Sequence, residues 1–256
     1  MKGLIVVWFS CGAASAVAAK LTLAQYPNAQ VRILNTPVDE EDLDNRRFLH
    51  DVQEWLGHPI EAVVNPKFPT QSAADVWAKR RFMSSPAGAP CTLVIKKEAR
   101  QQFEAVNKVD WHVLGFTKDE QARHDRFIRG ERENVLPVLI NAGMSKQDCA
   151  DYLIGQGLKL PRVYSMRSDF GDGFPNANCI GCVKVTSPTY WNHVRQTFPN
   201  VFEARAAQSR EIGCRLVEVK GRRIFLDELD PKAKARPLKT LDFECGIFCE
   251  EPPHDH

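Results

Sequence analysis

One run of residues near the start of the chain limits what the rest can become. Leu4 to Phe9 is apolar and rich in β-branched side chains, and its length suits a strand buried on both faces. Ala16 to Leu23 reads as a helix. Only Ser10-Cys11-Gly12-Ala13-Ala14-Ser15 lies between them. A buried strand that turns through small residues straight into a helix is the opening of an α/β fold.

The same turn has chemical consequences. Free N–H groups at a helix N-terminus, together with the positive end of the helix dipole, hold a phosphate when small side chains let it approach. Ser10 and Ser15 add hydroxyl donors. The spacing is neither GxxxxGK[ST] nor GxGxxG. A secretory signal is the competing reading, with Lys2, the apolar run and a cleavage site at Ala16-Val17-Ala18. Ser10-Cys11-Gly12 interrupts the apolar core of such a signal, and the helical pattern continues to Tyr26, so a folded element is expected.

The alternation then repeats. Val31 to Leu34 is a second strand ending at Asn35-Thr36-Pro37. A helix from about Leu43 to Leu56 carries Phe48, Leu49, Val52, Trp55 and Leu56 on one face and ends at Gly57. Ile60 to Val64 is a third strand, Asp75 to Met83 a helix, Cys91 to Phe103 a helix rich in Lys and Arg, and Asp110 to Phe116 a fourth strand. This order predicts a doubly wound parallel sheet with helices on both faces. Ligands in such sheets bind beyond the carboxyl ends of the strands, which gathers Ser10-Cys11-Gly12, Asn35-Thr36 and Gly115-Phe116-Thr117.

After Arg132 the character changes. A short strand is expected within Asn134 to Ile140, a helix from Lys146 to Ile154 capped by Ser145, and loops rich in Gly, Pro and Asn from Ser168 to Asn178. Helices near Tyr190 to Thr197 and Phe202 to Ile212 follow, then a hairpin turning at Lys220-Gly221 and a last element from Leu241 to Cys249. The expected organisation is a nucleotide-binding α/β core over residues 1–132. Residues 133–256 form the C-terminal part of the same fold, an α+β extension carrying a CxxC loop, the hairpin and a cysteine-bearing tail.

No apolar run in the 256 residues reaches the ~18 needed to cross a membrane. A cytoplasmic protein with no membrane partner is expected. The net charge of +2 argues neither for nor against nucleic acid. Eight cysteines are many for such a chain, and without a signal peptide they point to metal or thiol chemistry rather than disulfides. Cys179 and Cys182 form a CxxC pair, and Cys245 and Cys249 a looser CxxxC pair. Four thiolates suit either tetrahedral Zn or an iron–sulfur cluster. Cys149 and Cys214 lie in apolar patterns and are expected to be buried free thiols.

Several stretches carry a family resemblance. Ser10 to Ser15 resembles the Ser-Gly-Gly-x-Asp-Ser pyrophosphate loop of the adenine-nucleotide alpha-hydrolase (PP-loop) superfamily, with Cys11 for the first Gly and Ala14 for the Asp. Pro90-Cys91 before Lys96-Lys97 and Arg100, with a CxxC pair far downstream, resembles the adenylyl-sulfate reductases, where a Cys-Cys pair precedes an Arg-Lys pair. Gly115 to Arg123 resembles that family's Gly-(Leu/Tyr)-Arg-x-x-Glu-Ser-x-x-Arg stretch. Glu244-Cys245-Gly246-Ile247 resembles its Glu-Cys-Gly-(Ile/Leu)-His motif, with Phe248 in place of His. The similarity covers about residues 3–250.

The resemblance implies a divergent phosphoadenylyl-sulfate (PAPS) reductase-like protein acting in sulfur transfer or sulfonucleotide reduction. An adenine nucleotide (ATP, APS or PAPS) would be held by Ser10, Cys11, Gly12, Ala13, Ser15, Asn35, Thr36, Gly115, Thr117, Glu120 and Arg123. A [4Fe-4S] cluster would be held next to the nucleotide's phosphate end by Cys91, Cys179 and Cys182, with Cys245 or Cys249 as fourth ligand. In the reductases the Cys of Glu-Cys-Gly attacks the sulfate sulfur, a role open to Cys245 only where it is not a ligand. A reductant protein is the implied partner. Two alternatives stand beside this reading. One is a PP-loop ATP pyrophosphatase that uses Mg²⁺ and adenylates and thiolates a nucleic-acid base. The other is a non-catalytic nucleotide- or partner-binding protein stabilised by Zn on Cys179, Cys182, Cys245 and Cys249, with no use for Cys91.

Overall fold

The computed structural model describes residues 2–85, 88–130 and 132–241. In chain order the strands are β1 (Leu4–Trp8), β2 (Gln30–Asn35), β3 (Ile60–Ala62), β4 (Trp111–Val113), β5 (Val135–Leu136), β6 (Val217–Val219) and β7 (Arg222–Ile224). The helices are α1 (Ala13–Gln25), α2 (Asp44–Leu56), α3 (Ala73–Arg80), α4 (Glu98–Val106), α5 (Gln121–Gly130), α6 (Val138–Asn141), α7 (Lys146–Gly155), α8 (Pro188–Thr197) and α9 (Pro199–Ile212). They gather into two compact units that interleave along the chain.

The first unit contains the residues up to Pro37, Leu43–Val63 and Ala99–Pro161. Its centre is a five-stranded, all-parallel sheet in the order β3-β2-β1-β4-β5, flanked by helices. β1 holds the middle because Ile5, Val6 and Val7 are almost wholly buried, as a strand covered on both faces requires. Phe103 of α4 meets the Trp8 ring edge-on, and Phe48 of α2 stacks on Phe9. Ala16, Ala18 and Ala19 of α1 are fully buried, and α1 packs against α6 and α7. From β1 the chain builds outward through β2 to β3, then returns to lay β4 and β5 on the other side. The strand order therefore reverses between β1 and β4, the kind of place where ligands of parallel sheets bind beyond the carboxyl ends.

The second unit contains Val38–Asp42, Val64–Glu98 and the described residues from Arg162 onward. Trp77, Met83, Ile95, Tyr190, Trp191 and Val217 belong to its core. α8 packs against α9, and the Trp191 indole donates to the Val185 carbonyl at 2.7 Å. β6 and β7 form the expected hairpin, with Lys220 and Gly221 both at positive φ (50° and 74°), the conformation a two-residue hairpin turn needs.

The expected elements are present with shifted ends. The third strand stops at Ala62 rather than Val64, although the Val63 amide still bonds the Asn35 carbonyl at 2.8 Å. The fourth is three residues long, because Gly115 already belongs to the loop that closes on α1. The helix expected from Cys91 to Phe103 opens with a π-helical turn, Thr92–Lys97, before α4. Cys149 is fully buried as expected, whereas Cys214 is only half-buried, its Sγ 3.9 Å from the Ser84 carbonyl. The element expected from Leu241 to Cys249 lies, beyond Leu241, outside the described residues, and with it Glu244, Cys245 and Cys249. Among the described residues no helix is long and apolar enough to cross a membrane.

Candidate functional site

The turn after β1 is built around Ser15. Its hydroxyl donates to the Gly12 carbonyl at 2.9 Å and accepts from the Ser10 amide at 3.2 Å and the Ser10 hydroxyl at 3.3 Å. The two serine hydroxyls thus hold the turn shut instead of standing free as donors. Cys11 sits at φ 56°, in the left-handed region where glycine costs least. Cys11 is therefore at a glycine-type backbone position. Asn35 fixes it from β2, donating from Nδ2 to the Phe9 carbonyl at 2.8 Å and to Cys11 Sγ at 3.7 Å. Thr36, the next residue, is buried.

Gly12 is the N-cap of α1 and makes no side-chain cap, and the first turn holds no acidic residue. The leading N–H groups of α1 therefore receive no side-chain acceptor from the cap position, and the positive end of the dipole is not offset locally. Gly115, after β4, closes the other side: a Cβ there would lie 3.1 Å from the Ser15 nitrogen and 3.4 Å from the Ala14 carbonyl carbon. The loop after β4 and the start of α1 thus meet main chain to main chain.

Thr117, Glu120 and Arg123 form a second knot in the same unit. The Thr117 amide and hydroxyl both donate to Glu120 Oε2, at 3.3 and 3.1 Å. Arg123 donates to Glu120 Oε1 at 2.9 Å, and the Lys146 ammonium stands 3.8 Å from the same oxygen. The Arg123 guanidinium lies 5.3 Å over the Phe116 ring. Glu120 is a capping carboxylate held by two cations, and it fixes Thr117 and Arg123.

Cys91, Cys179 and Cys182 lie in the second unit. Cys91 follows Pro90 in the first turn of its helix, with helical backbone angles, as a proline-led start favours. The CxxC loop turns at Gly181, φ 69°, where a Cβ would meet Val201 Cγ1 at 3.1 Å. The Ile180 amide bonds the Glu40 carbonyl at 2.9 Å, and the Cys182 amide donates to the Tyr190 hydroxyl at 2.8 Å. Burial first, and then the Cys182 and Cys179 thiols, hold the Tyr190 phenol well above its ordinary range, so it stays neutral. Cys91 and Cys179 are half-buried and Cys182 is buried. Among the described residues no three His, Cys, Asp or Glu side chains form a group able to hold a metal ion. Lys96, downstream of Cys91, lies 3.9 Å from Glu41, and Arg100 is bonded to Glu104 at 2.8 Å.

The cation that does stand by these thiols is Arg205 of α9. Burial pulls its pKa down, and nearby groups, the Glu40 carboxylate first, act to raise it. Sequence reasoning passed over it. Its signal was an arginine on the apolar face of a helix, at helical spacing from Phe202, Ala206 and Ser209, all of which are buried. No family model matches the chain, and no curated protein matches it.

Proposed function

We propose that this chain is a divergent PAPS reductase-like protein of the PP-loop kind, which binds an adenine nucleotide and carries a thiolate-bound [4Fe-4S] cluster for sulfur transfer or sulfonucleotide reduction. The observation that carries the nucleotide reading is the contact between Gly115 and the start of α1, at the point where the strand order reverses. It brings main chain close to a helix N-terminus that has no side-chain cap. Phosphate groups suit that setting, because they take N–H donors and a positive dipole and need close backbone approach. Ser10, Ser15 and Asn35 keep the turn in shape, and Thr117 and Arg123, held by Glu120, would meet the nucleotide.

The cysteine set suits an anionic sulfur centre in its chemistry. Two thiols from distant stretches, Cys91 and Cys179, interact with one buried guanidinium, whose Nε–H has no acceptor. Cys91, Cys179 and Cys182 would hold the cluster, with Cys245 completing the set from outside the described residues. When bound, the cluster supplies redox chemistry tuned by charge and hydrogen bonds around its sulfurs. The protein's own part is to exclude water with Trp77, Tyr190 and Trp191, and to fix the CxxC turn through Tyr190 and the Glu40 carbonyl.

Calorimetry with ATP, adenylyl sulfate and phosphoadenylyl sulfate tests the nucleotide half. Binding of one of them, abolished by Ser10→Ala with Gly12→Val, is expected. Absence of binding by the unmutated chain at millimolar concentration overturns it. A preference for ATP with Mg²⁺ over the sulfated nucleotides moves the assignment to base adenylation.

A further inference from the structure

One end of the second unit carries more positive charge than its own carboxylates can use. Arg81, just past α3, pairs with Glu211 of α9 at 2.7 Å and donates to the Glu211 carbonyl at 2.9 Å. The Cys214 thiol lies 3.9 Å from the Ser84 carbonyl, so the chain leaving α3 and the chain leaving α9 run together. Arg210 pairs with Asp227 at 2.8 Å and Glu228 at 2.7 Å, and Arg223 of β7 pairs with Glu218 of β6 at 3.3 Å. Arg81, Arg210 and Arg223 thus take every carboxylate that residues 79–85 and 210–228 hold.

Lys79, Arg80, Arg215, Lys220 and Arg222 are left over. All of them are exposed, and none is ion-paired to a carboxylate among the described residues. Lys79 lies 4.8 Å over the Phe68 ring and Arg215 5.1 Å over the Phe225 ring, contacts that bring no counter-charge. The whole chain has a net charge of only +2, so this surplus is gathered in one place rather than spread. Lys79 and Arg80 also offset the dipole of α3 from its last turn, but Arg215, Lys220 and Arg222 belong to no helix. Like charges gathered on one surface raise the potential there and draw an anionic partner. The chemistry of that partner can be narrowed. Arginine forks take phosphate oxygens two at a time. Phe82, next to Arg81, is 41 % exposed and is the one large apolar side chain exposed in these segments. A protein interface needs a wider apolar centre than one ring. A single open ring among phosphate-binding cations suits an unpaired base.

We infer that this end of the second unit is a binding surface for single-stranded nucleic acid, with phosphates on Arg80, Arg215, Lys220 and Arg222 and a base on Phe82. Contacts of this kind hold backbone and ring faces and are largely indifferent to sequence. The scale fits. Arg215 and Lys220 are joined by residues that span at most about 17 Å, a length that a few nucleotides cover. Arg222 sits beside that stretch, because it pairs with Val219 across the hairpin. The inference rests on neither the nucleotide reading nor the cluster reading above.

The test uses the full-length chain and a fluorescent single-stranded oligonucleotide of mixed sequence, with anisotropy read over a range of salt. Binding in the micromolar range at low salt is expected, weakening as salt rises. Arg80→Gln, Lys220→Gln and Arg222→Gln together should weaken it about tenfold or more and flatten the logarithmic salt slope by about two. Lys108→Gln, Arg126→Gln and Arg129→Gln together remove the same charge from exposed positions of the first unit and should change neither. Phe82→Ala should weaken binding about fivefold or more and leave the salt slope as it was. Melting of each variant is followed by circular dichroism, and Arg222→Gln alone, in an exposed hairpin, keeps the comparison if the first triple variant fails to fold. No binding by the unmutated chain overturns the inference, and so does an equal loss in the two triple variants. A lower melting temperature with unchanged binding leaves these cations only a structural role and overturns it too. Polyglutamate that competes as well as the oligonucleotide assigns the surface to an acidic protein instead. A Phe82→Ala variant that binds like the unmutated chain overturns the single-stranded assignment.

Discussion

The backbone nitrogen of Ser15 stands 3.1 Å from the place where a Cβ on Gly115 would sit. That is closer than a side chain is normally admitted, and the atoms it would meet are backbone, which cannot rotate away. Gly115→Val should therefore push the loop after β4 off the start of α1. Overpacking of this kind costs about 1–3 kcal/mol. The expected outcome is a modest fall in melting temperature with loss of nucleotide binding, read by circular dichroism and calorimetry on the same sample. Unchanged binding would remove this contact from the site.

Ser15→Ala should cost more stability than Ser10→Ala. Ser15 is buried and its hydroxyl makes three bonds, one of which satisfies the Ser10 amide. Ser10 is exposed and its hydroxyl gives one bond at 3.3 Å. Leaving a part-buried amide unpaired costs about 1–3 kcal/mol. Urea unfolding of the two variants checks the order, and equal effects would mean that the Ser15 hydroxyl does not hold the turn.

Glu40→Ala should unfold the start of α3. The Glu40 carboxylate takes two leading amides of that helix and the Ser72 hydroxyl. Loss of such capping costs about 1–2 kcal/mol. Hydrogen exchange at Ala73 and Ala74 should quicken, with little change in the parallel sheet. Amides that stay protected would assign the cap to Ser72, whose own hydroxyl accepts from the Asp75 amide at 3.2 Å.

Stability should fall as the pH is lowered from about 6.5 towards 4. His112 has its pKa pushed down to about 3, first by burial and then by the charges of Arg132 and Arg100. His193 is pushed down to about 4 by burial. Their unfolded values lie near 6.5, so between these limits the unfolded chain binds more protons than the folded one. Stability then rises with pH, by up to about 1.4 kcal/mol per unit for each histidine. The His193 Nδ1 stands 2.6 Å from the Ser168 hydroxyl, which a neutral ring accepts. His193→Gln should flatten the dependence. An unchanged slope would mean that His193 already titrates normally in the fold.

Cys91→Ala separates the two metal readings. A chain purified without oxygen should be brown, and its iron should be lost in the variant. A colourless chain with about one zinc, unaffected by the change, would favour the Cys179, Cys182, Cys245 and Cys249 site.

Much of the first unit was legible because its signals are local. The apolar run from Leu4, the small turn and the spacing of Phe48 and Val52 each read as one element, and alternation of strand and helix allows few topologies. Strand ends were less legible, since β3 and β4 stop where neighbouring backbone stops pairing, which the apolar runs do not record. In the site, Ser10, Cys11, Gly12 and Ser15 could be named from the turn itself. What their side chains do was not readable: the serine hydroxyls bond each other, and Glu120 is consumed by Thr117 and Arg123.

The sequence by itself determined the strand–turn–helix opening, the alternation that yields a parallel sheet, and the CxxC pair, because each depends on residues close together in the chain. Only the tertiary structure decided that Gly115 closes on Ser15 and that Arg205 is buried against the CxxC turn. The physical reason is the same for both. Steric exclusion and charge compensation depend on which atoms share a space, and residues far apart in sequence meet there through packing that local periodicity does not encode.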